Sequence, residues 1–172
     1  MVFAIKVFLA RRNVFVSHFI EIFERNKVLL SYFRKFFGRT DLPFYFVQLA
    51  NFMDRKEEPV ADDTWAELRE AQFMTLQLPN TGMAVTMDIG NPADIHPRNK
   101  QDVGKRLALQ ALAGTYGQAV QPHGPRVKQT EQRGAQIAVE FDAPQGLQAR
   151  GGRPLAGFAV AQGDGPFHAA QA

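Results

Sequence analysis

An α/β fold built on a parallel sheet, with a β-rich module after it, is predicted by three features of the sequence. Apolar runs of strand length alternate with stretches of helical spacing, in the order strand, helix, strand, helix over residues 42–114. The connections are short, which implies parallel pairing through right-handed crossovers. From Tyr116 onward Gly, Pro and Gln become common and the helical texture ends. The most informative stretch is residues 81–112, TGMAVTMDIGNPADIHPRNKQDVGKRLALQAL, where a Gly/Pro/Asp-rich loop carrying Asp94 and His96 joins a strand to a helix. In an open α/β sheet such loops leave the carboxyl ends of the strands, where ligands bind.

Each element has its own signal. Residues 1–27 are dense in Phe, Val, Arg and Lys, and Phe15, Phe19 and Phe23 recur every four residues, the pattern of an amphipathic helix. Residues 29–37 intersperse Tyr32, Phe33, Phe36 and Phe37 with Arg34 and Lys35 and continue the helix until Gly38 stops it. The unbroken apolarity of residues 42–52, LPFYFVQLANF, predicts a central strand covered on both faces, with the amides of Gln48 and Asn51 bonded to loop backbone at its end. A charged loop containing Pro59 comes next. Thr64 and Glu67 make a capping box for a helix that turns Trp65, Leu68 and Ala71 to the sheet. Pro79 and Asn80 precede a strand at residues 83–87. Asn99 is the expected cap of a helix whose buried stripe is Val103, Leu107 and Ala111 and which Gly114 ends. Short β segments at residues 136–141 and 155–161, joined through Gly146, Gly151 and Gly152, predict antiparallel pairing. The Ala/Gln-rich end from Phe167 offers no closing strand, so the chain reads as cut off within a β module.

Composition narrows the function classes. With 172 residues, 45% of them hydrophobic and 22% charged, the chain is ordinary globular material rather than a disordered one. The absence of cysteine excludes disulfides, thiolate metal sites and a Cys nucleophile. The net charge of +3 is concentrated at the amino end, where eight Lys/Arg stand against two Asp/Glu before residue 41. A basic aromatic end can attract nucleic acid or a membrane surface, yet no RNP-like, zinc or helix-turn-helix signature accompanies it, and no nucleic-acid partner is expected. The opening MVFAIKVFLARR places its charges after its apolar run, the reverse of a signal peptide. No segment approaches the roughly 20 apolar residues of a membrane span, so a soluble protein is expected.

His96 is the best candidate base, because an imidazole exchanges protons near neutral pH. Asp94 is the nearest carboxylate able to fix its tautomer, and Asp88 at the strand end is a second. His18, His123 and His168 lack metal-ligand spacing, so no metal is expected. Neither GxGxxG nor GxxxxGK is present, and no nucleotide or other cofactor is expected.

Taken together, LPFYFVQLANF, WAELREAQ and LPNTGMAVTMDIGNPADIHPRNKQDVGKRLAL resemble the carboxyl-terminal portion of the sialate O-acetylesterases, members of the SGNH hydrolase superfamily. GAQIAVEFDAPQGLQARGGRPLAGFAVAQGDGPF is similar to the start of the β-sandwich segment that comes after the esterase domain in that family. The resemblance implies part of an SGNH-type three-layer parallel sheet over residues 28–115, an atypical basic aromatic segment at 1–27 and an incomplete β-rich module at 116–172. It further implies a serine ester hydrolase that removes acetyl groups from sialic acids or related sugars, with His96 as base and Asp94 as its acidic partner in the family's Asp-x-His-Pro context. The nucleophile stays unassigned. Ser17 and Ser31 are the only serines, and neither lies in the Gly-Gln-Ser context of the family; the Trp-Tyr-Gln-Gly-Glu block is also missing. The expectation is therefore a fragment whose partners are an acetylated sugar and the absent amino-terminal half. A non-catalytic remnant or carbohydrate-binding module on the same fold, and an acetyl-xylan esterase, are the alternatives. The family is usually exported, although this chain shows no export signal.

Overall fold

Helices and strands succeed one another in the order β1 (Ile5–Lys6), α1 (Val16–Phe36), β2 (Phe44–Val47), α2 (Thr64–Met74), a 3-10 turn (Thr75–Gln77), β3 (Thr81–Ala84), α3 (Lys100–Gly114), β4 (Val127–Arg133), β5 (Gln136–Phe141), β6 (Phe158–Val160) and β7 (His168–Ala170). The computed structural model describes residues 5–6, 16–54, 56, 64–142, 147, 152, 155–162 and 165–172. Two compact units result, one built mainly from residues 11–56 and 62–123, the other from residues 1–10, 57–61 and 124–172.

In the first unit β2 and β3 pair in parallel, Phe44 opposite Thr81 through Val47 opposite Ala84. The start of this pair is set by α1. Gly38, with φ +63°, ends that helix in a Schellman turn, in which Arg39 N–H bonds the Arg34 carbonyl and Gly38 N–H bonds the Lys35 carbonyl. Arg34 then donates from Nε to the Leu42 carbonyl at 3.1 Å and from Nη2 to the Pro79 carbonyl at 2.6 Å. One guanidinium thus ties together the chain segments that enter both strands. Adjacent β2 residues face opposite ways: the Phe44 ring meets Phe33 of α1 at 5.9 Å, while the Tyr45 hydroxyl lies 2.7 Å from Thr115 Oγ1 at the end of α3. Tyr45 comes so close that a Cβ on Gly82 would lie 2.8 Å from its ring and one on Gly114 2.6 Å from its hydroxyl. Glycine at these two positions lets strand and helix approach.

Among the described residues the buried apolar ones are few: Leu30 of α1, Ala71 of α2, and Met83 and Ala84 of β3. Helices α1 and α2 pack on each other, β3 packs on β2 and α3, and Asn26 Nδ2 ties α1 to Thr75 Oγ1 at 2.9 Å.

Several expectations are corrected here. The amino-terminal helix begins only at Val16, and Ile5–Lys6 instead forms a strand; the period-four aromatic pattern starts at Phe15, whereas VFAIKVF before it has strand-like composition. From Val16 the helix runs unbroken to Phe36, as the continued helical spacing implies. β2 covers four residues and pairs only with β3 among the described residues, with Val47 38% exposed, so it is not a central strand there. β3 starts at Thr81 rather than Met83, because its register is set by the Phe44 N–H bond to the Asn80 carbonyl. The amide nitrogen of Gln48 bonds the Arg69 carbonyl on α2 rather than a loop, and its Oε1 has no partner among the described residues. On α3, Val103, Leu107 and Ala111 are only half-buried, and Gln110, bonded to the Pro122 carbonyl, is the buried residue.

The second unit holds an antiparallel pair, β4 with β5, and a three-stranded sheet in the order β1-β6-β7. Gly134, at φ +61°, supplies the first central residue of the two-residue turn between β4 and β5. β5 coincides with the expected segment, while β4, VKQTEQR, has no apolar run to announce it. The Ala/Gln-rich end does carry a strand: β7 pairs antiparallel with β6, and β6 pairs in parallel with β1, so this sheet is mixed rather than antiparallel. Gly146 and Gly151 lie outside the described residues.

Met83 is 1% exposed, and Met83→Ala is expected to lower unfolding free energy by about 3 kcal/mol in a chemical denaturation series. Phe36→Ala, at a residue 83% exposed, should change it by less than about 0.5 kcal/mol. Equal effects would mean that the β3 layer is not the core.

Candidate active site

β2 and β3 end side by side, and the segments leaving them are fastened to each other. After β2, the Gln48 N–H bonds the Ala84 carbonyl, and the Gln48 carbonyl accepts the buried Thr86 hydroxyl at 2.5 Å. Helix α2 holds the same segment from the side: Leu49 N–H bonds Gln72 Oε1 at 2.9 Å, and Trp65 Nε1–H bonds the Ala50 carbonyl at 2.8 Å. The Trp65 ring also packs against Phe52.

After β3 the loop of residues 85–96 is anchored by an ion pair. Arg106 of α3 clasps Asp88 with two bonds, Nη1 to Oδ1 at 2.6 Å and Nη2 to Oδ2 at 2.8 Å, and Nη1 also reaches the Val85 carbonyl at 2.5 Å. The Asp88 side chain is 5% exposed. The Asp88 hydrogen bonds raise the Arg106 pKa above its ordinary value, against the lowering effect of burial. Helix α3 is capped by Asn99, whose Oδ1 accepts from Asp102 N–H at 3.1 Å while its Nδ2 donates to the Asp102 carboxylate at 2.7 Å.

Further along, Gly90 N–H bonds Asn51 Oδ1 at 2.9 Å and Met53 N–H bonds the Pro92 carbonyl at 3.0 Å. The loop then closes on itself. Asn91 pairs with Asp94 in an isolated bridge, Asn91 Oδ1 accepts from Ala93 N–H at 3.0 Å, and Asp94 Oδ1 accepts from His96 N–H at 2.8 Å. These are Asx turns, in which a short polar side chain imitates backbone.

Asp94 and His96 are therefore brought together. His96 Nδ1 stands 3.7 Å from Asp94 Oδ1, longer than a hydrogen bond, and the His96 side chain is 86% exposed. The acid lies on the Nδ1 side of the ring, which leaves Nε2 as the nitrogen able to take a proton from a second reactant. Asp88, the other carboxylate considered for this role, is committed to Arg106. Of the serines, Ser31 lies on α1 with its hydroxyl donating to the Val28 carbonyl at 2.7 Å, and the side chains of Ser17 and His18 lie outside the described residues. His168 is exposed on β7. Among the described residues no three His, Asp or Glu side chains are grouped to hold a metal ion, and no helix is long and apolar enough to cross a membrane.

Sequence reasoning missed Arg106 and Gly90. Arg106 sits between Val103 and Leu107, and nothing in its spacing separates it from a solvent-facing arginine. Gly90 had only its place in a Gly/Pro-rich loop.

No protein-family model matches the chain. Sialate O-acetylesterase of Mus musculus is 34% identical over 119 residues, covering 62% of this chain and 21% of its own, and that of Homo sapiens is 38% identical over 93 residues, covering 47% and 17%. A crystal structure of a carbohydrate acetylesterase from Xanthomonas citri superposes with a TM-score of 0.79 at 44% identity, covering 88% of this chain and 35% of that one. This chain is similar to part of the sialate O-acetylesterases. It spans about a fifth of the length of the curated relatives it matches. The sialate O-acetylesterase resemblance seen in the sequence thus holds for a partial region, and the structural neighbour extends the likeness to carbohydrate acetylesterases.

Breaking the ion pair tests how firmly the loop is held. Arg106→Met leaves the Asp88 carboxylate without its guanidinium, and the expected loss is about 3 kcal/mol of unfolding free energy. Asp88→Asn combined with Arg106→Met should recover part of it. A double variant no more stable than Arg106→Met would show that the pair is not coupled.

Proposed function

We propose that this chain carries the base and acid of a carbohydrate O-acetylesterase of the sialate O-acetylesterase type. The observation that supports it most is the joint one: Asp94 and His96 stand side by side on the loop after a parallel strand, in a chain 44% identical to a carbohydrate acetylesterase. In this reading His96 Nε2 takes the proton of a serine hydroxyl as the serine oxygen attacks the acetyl carbonyl. The C–O bond to the sugar breaks, the sugar oxygen leaves with that proton from the imidazolium, and water then hydrolyses the acetyl-enzyme with His96 as base again. Asp94 orients the ring and stabilises its charged form.

The serine comes from outside the described residues. It belongs, with the oxyanion-binding groups, to the remaining portion of such an esterase. Residues 28–115 are then the carboxyl-terminal part of an SGNH-type three-layer domain, and residues 116–172 the beginning of a β-sandwich segment. The substrate is an acetyl ester of sialic acid or, on the same scaffold, of another sugar such as xylan.

A second reading is a non-catalytic carbohydrate-contacting module, which applies if no serine from elsewhere reaches His96, since the Ser31 hydroxyl is committed to its own helix backbone.

The two readings part in one assay. Acetate release from 9-O-acetylated sialic acid and from acetylated xylan is measured with the chain alone and with the chain co-expressed with the serine-bearing portion of a relative. The expected outcome is turnover only in the combination, reduced about a million-fold by His96→Ala. Turnover in the combination that survives His96→Ala overturns the assignment of the base, and none in any combination leaves the non-catalytic module.

A further inference from the structure

Beyond the Asp94–His96 pair, we propose that Asn51 is a positioning residue for His96, acting through Gly90. The inference rests on the esterase reading for its functional meaning and on geometry for its existence.

An imidazole that is 86% exposed has no packing to hold it in place. Whatever fixes it must act through the backbone, and the backbone contacts form one continuous relay. The Asn51 side chain accepts from Gly90 N–H at 2.9 Å. From Gly90 the chain passes directly into the Asn91 turn, where Asn91 Oδ1 accepts from Ala93 N–H and the Asn91 carbonyl accepts from Asp94 N–H. Asp94 then closes the last turn onto His96 N–H. Downstream of Gly90 every link but the Met53 N–H bond to the Pro92 carbonyl is local, and local links preserve the shape of the loop but not its place relative to the strands. That placement comes from the Asp88–Arg106 pair on one side and from residues 51–53 on the other, where Asn51 supplies the side-chain bond.

Two further observations single out the Asn51 side. The Gly90 backbone comes so near that an added Cβ would lie 2.1 Å from Asn51 Oδ1 and 2.2 Å from the Asn51 carbonyl oxygen. The second atom is backbone and cannot swing away, so this contact requires glycine. Met53, two residues on, holds φ +68°, a left-handed conformation that side-chain-bearing residues rarely adopt. It does so while donating to the Pro92 carbonyl. Strain of this kind persists only where surrounding contacts hold it, and it gathers at sites whose geometry matters. Residues 51–53 and 90–92 thus form a two-bond clasp between the segment after β2 and the His96 loop. Asn51 Nδ2 makes no hydrogen bond among the described residues, so an acceptor oxygen is all the clasp asks of this side chain.

The test is NMR on the full ¹⁵N-labelled chain. In the wild type, Gly90 and Met53 amides should exchange with solvent at matching protection, because one opening frees both. Asn51→Ala should speed Gly90 and Met53 exchange roughly tenfold or more and lower the order of the His96 amide, while Gly82 in β3, on the side of that strand that bonds β2, keeps its protection. Asn51→Asp, which keeps the acceptor oxygen, should restore both. Where turnover is obtained by co-expression, Asn51→Ala should reduce kcat with KM unchanged, and Asn51→Asp should recover it. An unchanged His96 amide in Asn51→Ala overturns the proposal, as does loss of Gly82 protection in step with Gly90. If Asn51→Ala does not fold, widely different protection of Gly90 and Met53 in the wild type overturns it instead. Exchange needs no turnover, so an ordered clasp in an inactive combination defeats the esterase reading alone.

Discussion

The parallel pairing of β2 with β3 is the interaction on which the rest of the first unit depends. Two strands of four residues make too little ladder to persist alone, so the pair is held at both ends by side chains bonded to backbone. At the entry, Arg34 binds the carbonyls of Leu42 and Pro79, and Asn80 binds that of Asp41. At the exit, the Thr86 hydroxyl binds the Gln48 carbonyl. Parallel strands also cannot be joined by a tight turn, which is why α2 stands between them and why its residues Arg69 and Gln72 bond β2's exit. Because register is fixed at both ends, the two outgoing segments emerge side by side, and the His96 loop has a neighbour to clasp.

The polar groups in this layer carry more of the specificity than the apolar ones. Only four apolar side chains are buried there among the described residues, against Gln48, Thr75, Thr86 and Gln110. A buried hydrogen bond contributes about 1 kcal/mol net, but a buried group left unpaired costs about 1–3 kcal/mol. Mispairing the strands by one residue would strand several of these groups at once, so they penalise wrong registers more than they stabilise the right one. The Asp88–Arg106 pair works in the same sense: its net stabilisation is small after desolvation, while its bidentate geometry admits one loop position.

Much of this was legible in sequence wherever a single local cause suffices. Gly38 ends α1 because only its positive φ completes the Schellman turn, and Asn99 caps α3 because its side chain reaches the Asp102 amide. The Asp94–His96 proximity was legible too, since two residues of spacing in a turn leave little choice. What could not be read depends on partners far away in sequence. β4 is polar because it is a strand of a hairpin with exposed side chains, and β7 is short and Ala-rich, recognisable only through β6. Ile5 pairs with Phe158 across most of the chain, which no window of sequence contains. Arg106 belongs to the same class, acting on a loop 18 residues distant; that the Asn51 amide bonds loop backbone was legible, but not that Gly90, 39 residues on, is its partner.

The exposure of His96 also bears on the esterase reading. At water's dielectric constant two unit charges 4 Å apart interact by only about 1 kcal/mol. Asp94, at 3.7 Å, therefore does little to stabilise an imidazolium that solvent already stabilises. In a site from which water is excluded the same geometry is worth several times more, and the acid becomes effective. In the esterase reading, the portion that brings the serine must therefore also cover the imidazole. Supplying a nucleophile to an open His96 would complete the list of groups without completing the site, because the base would still work in water.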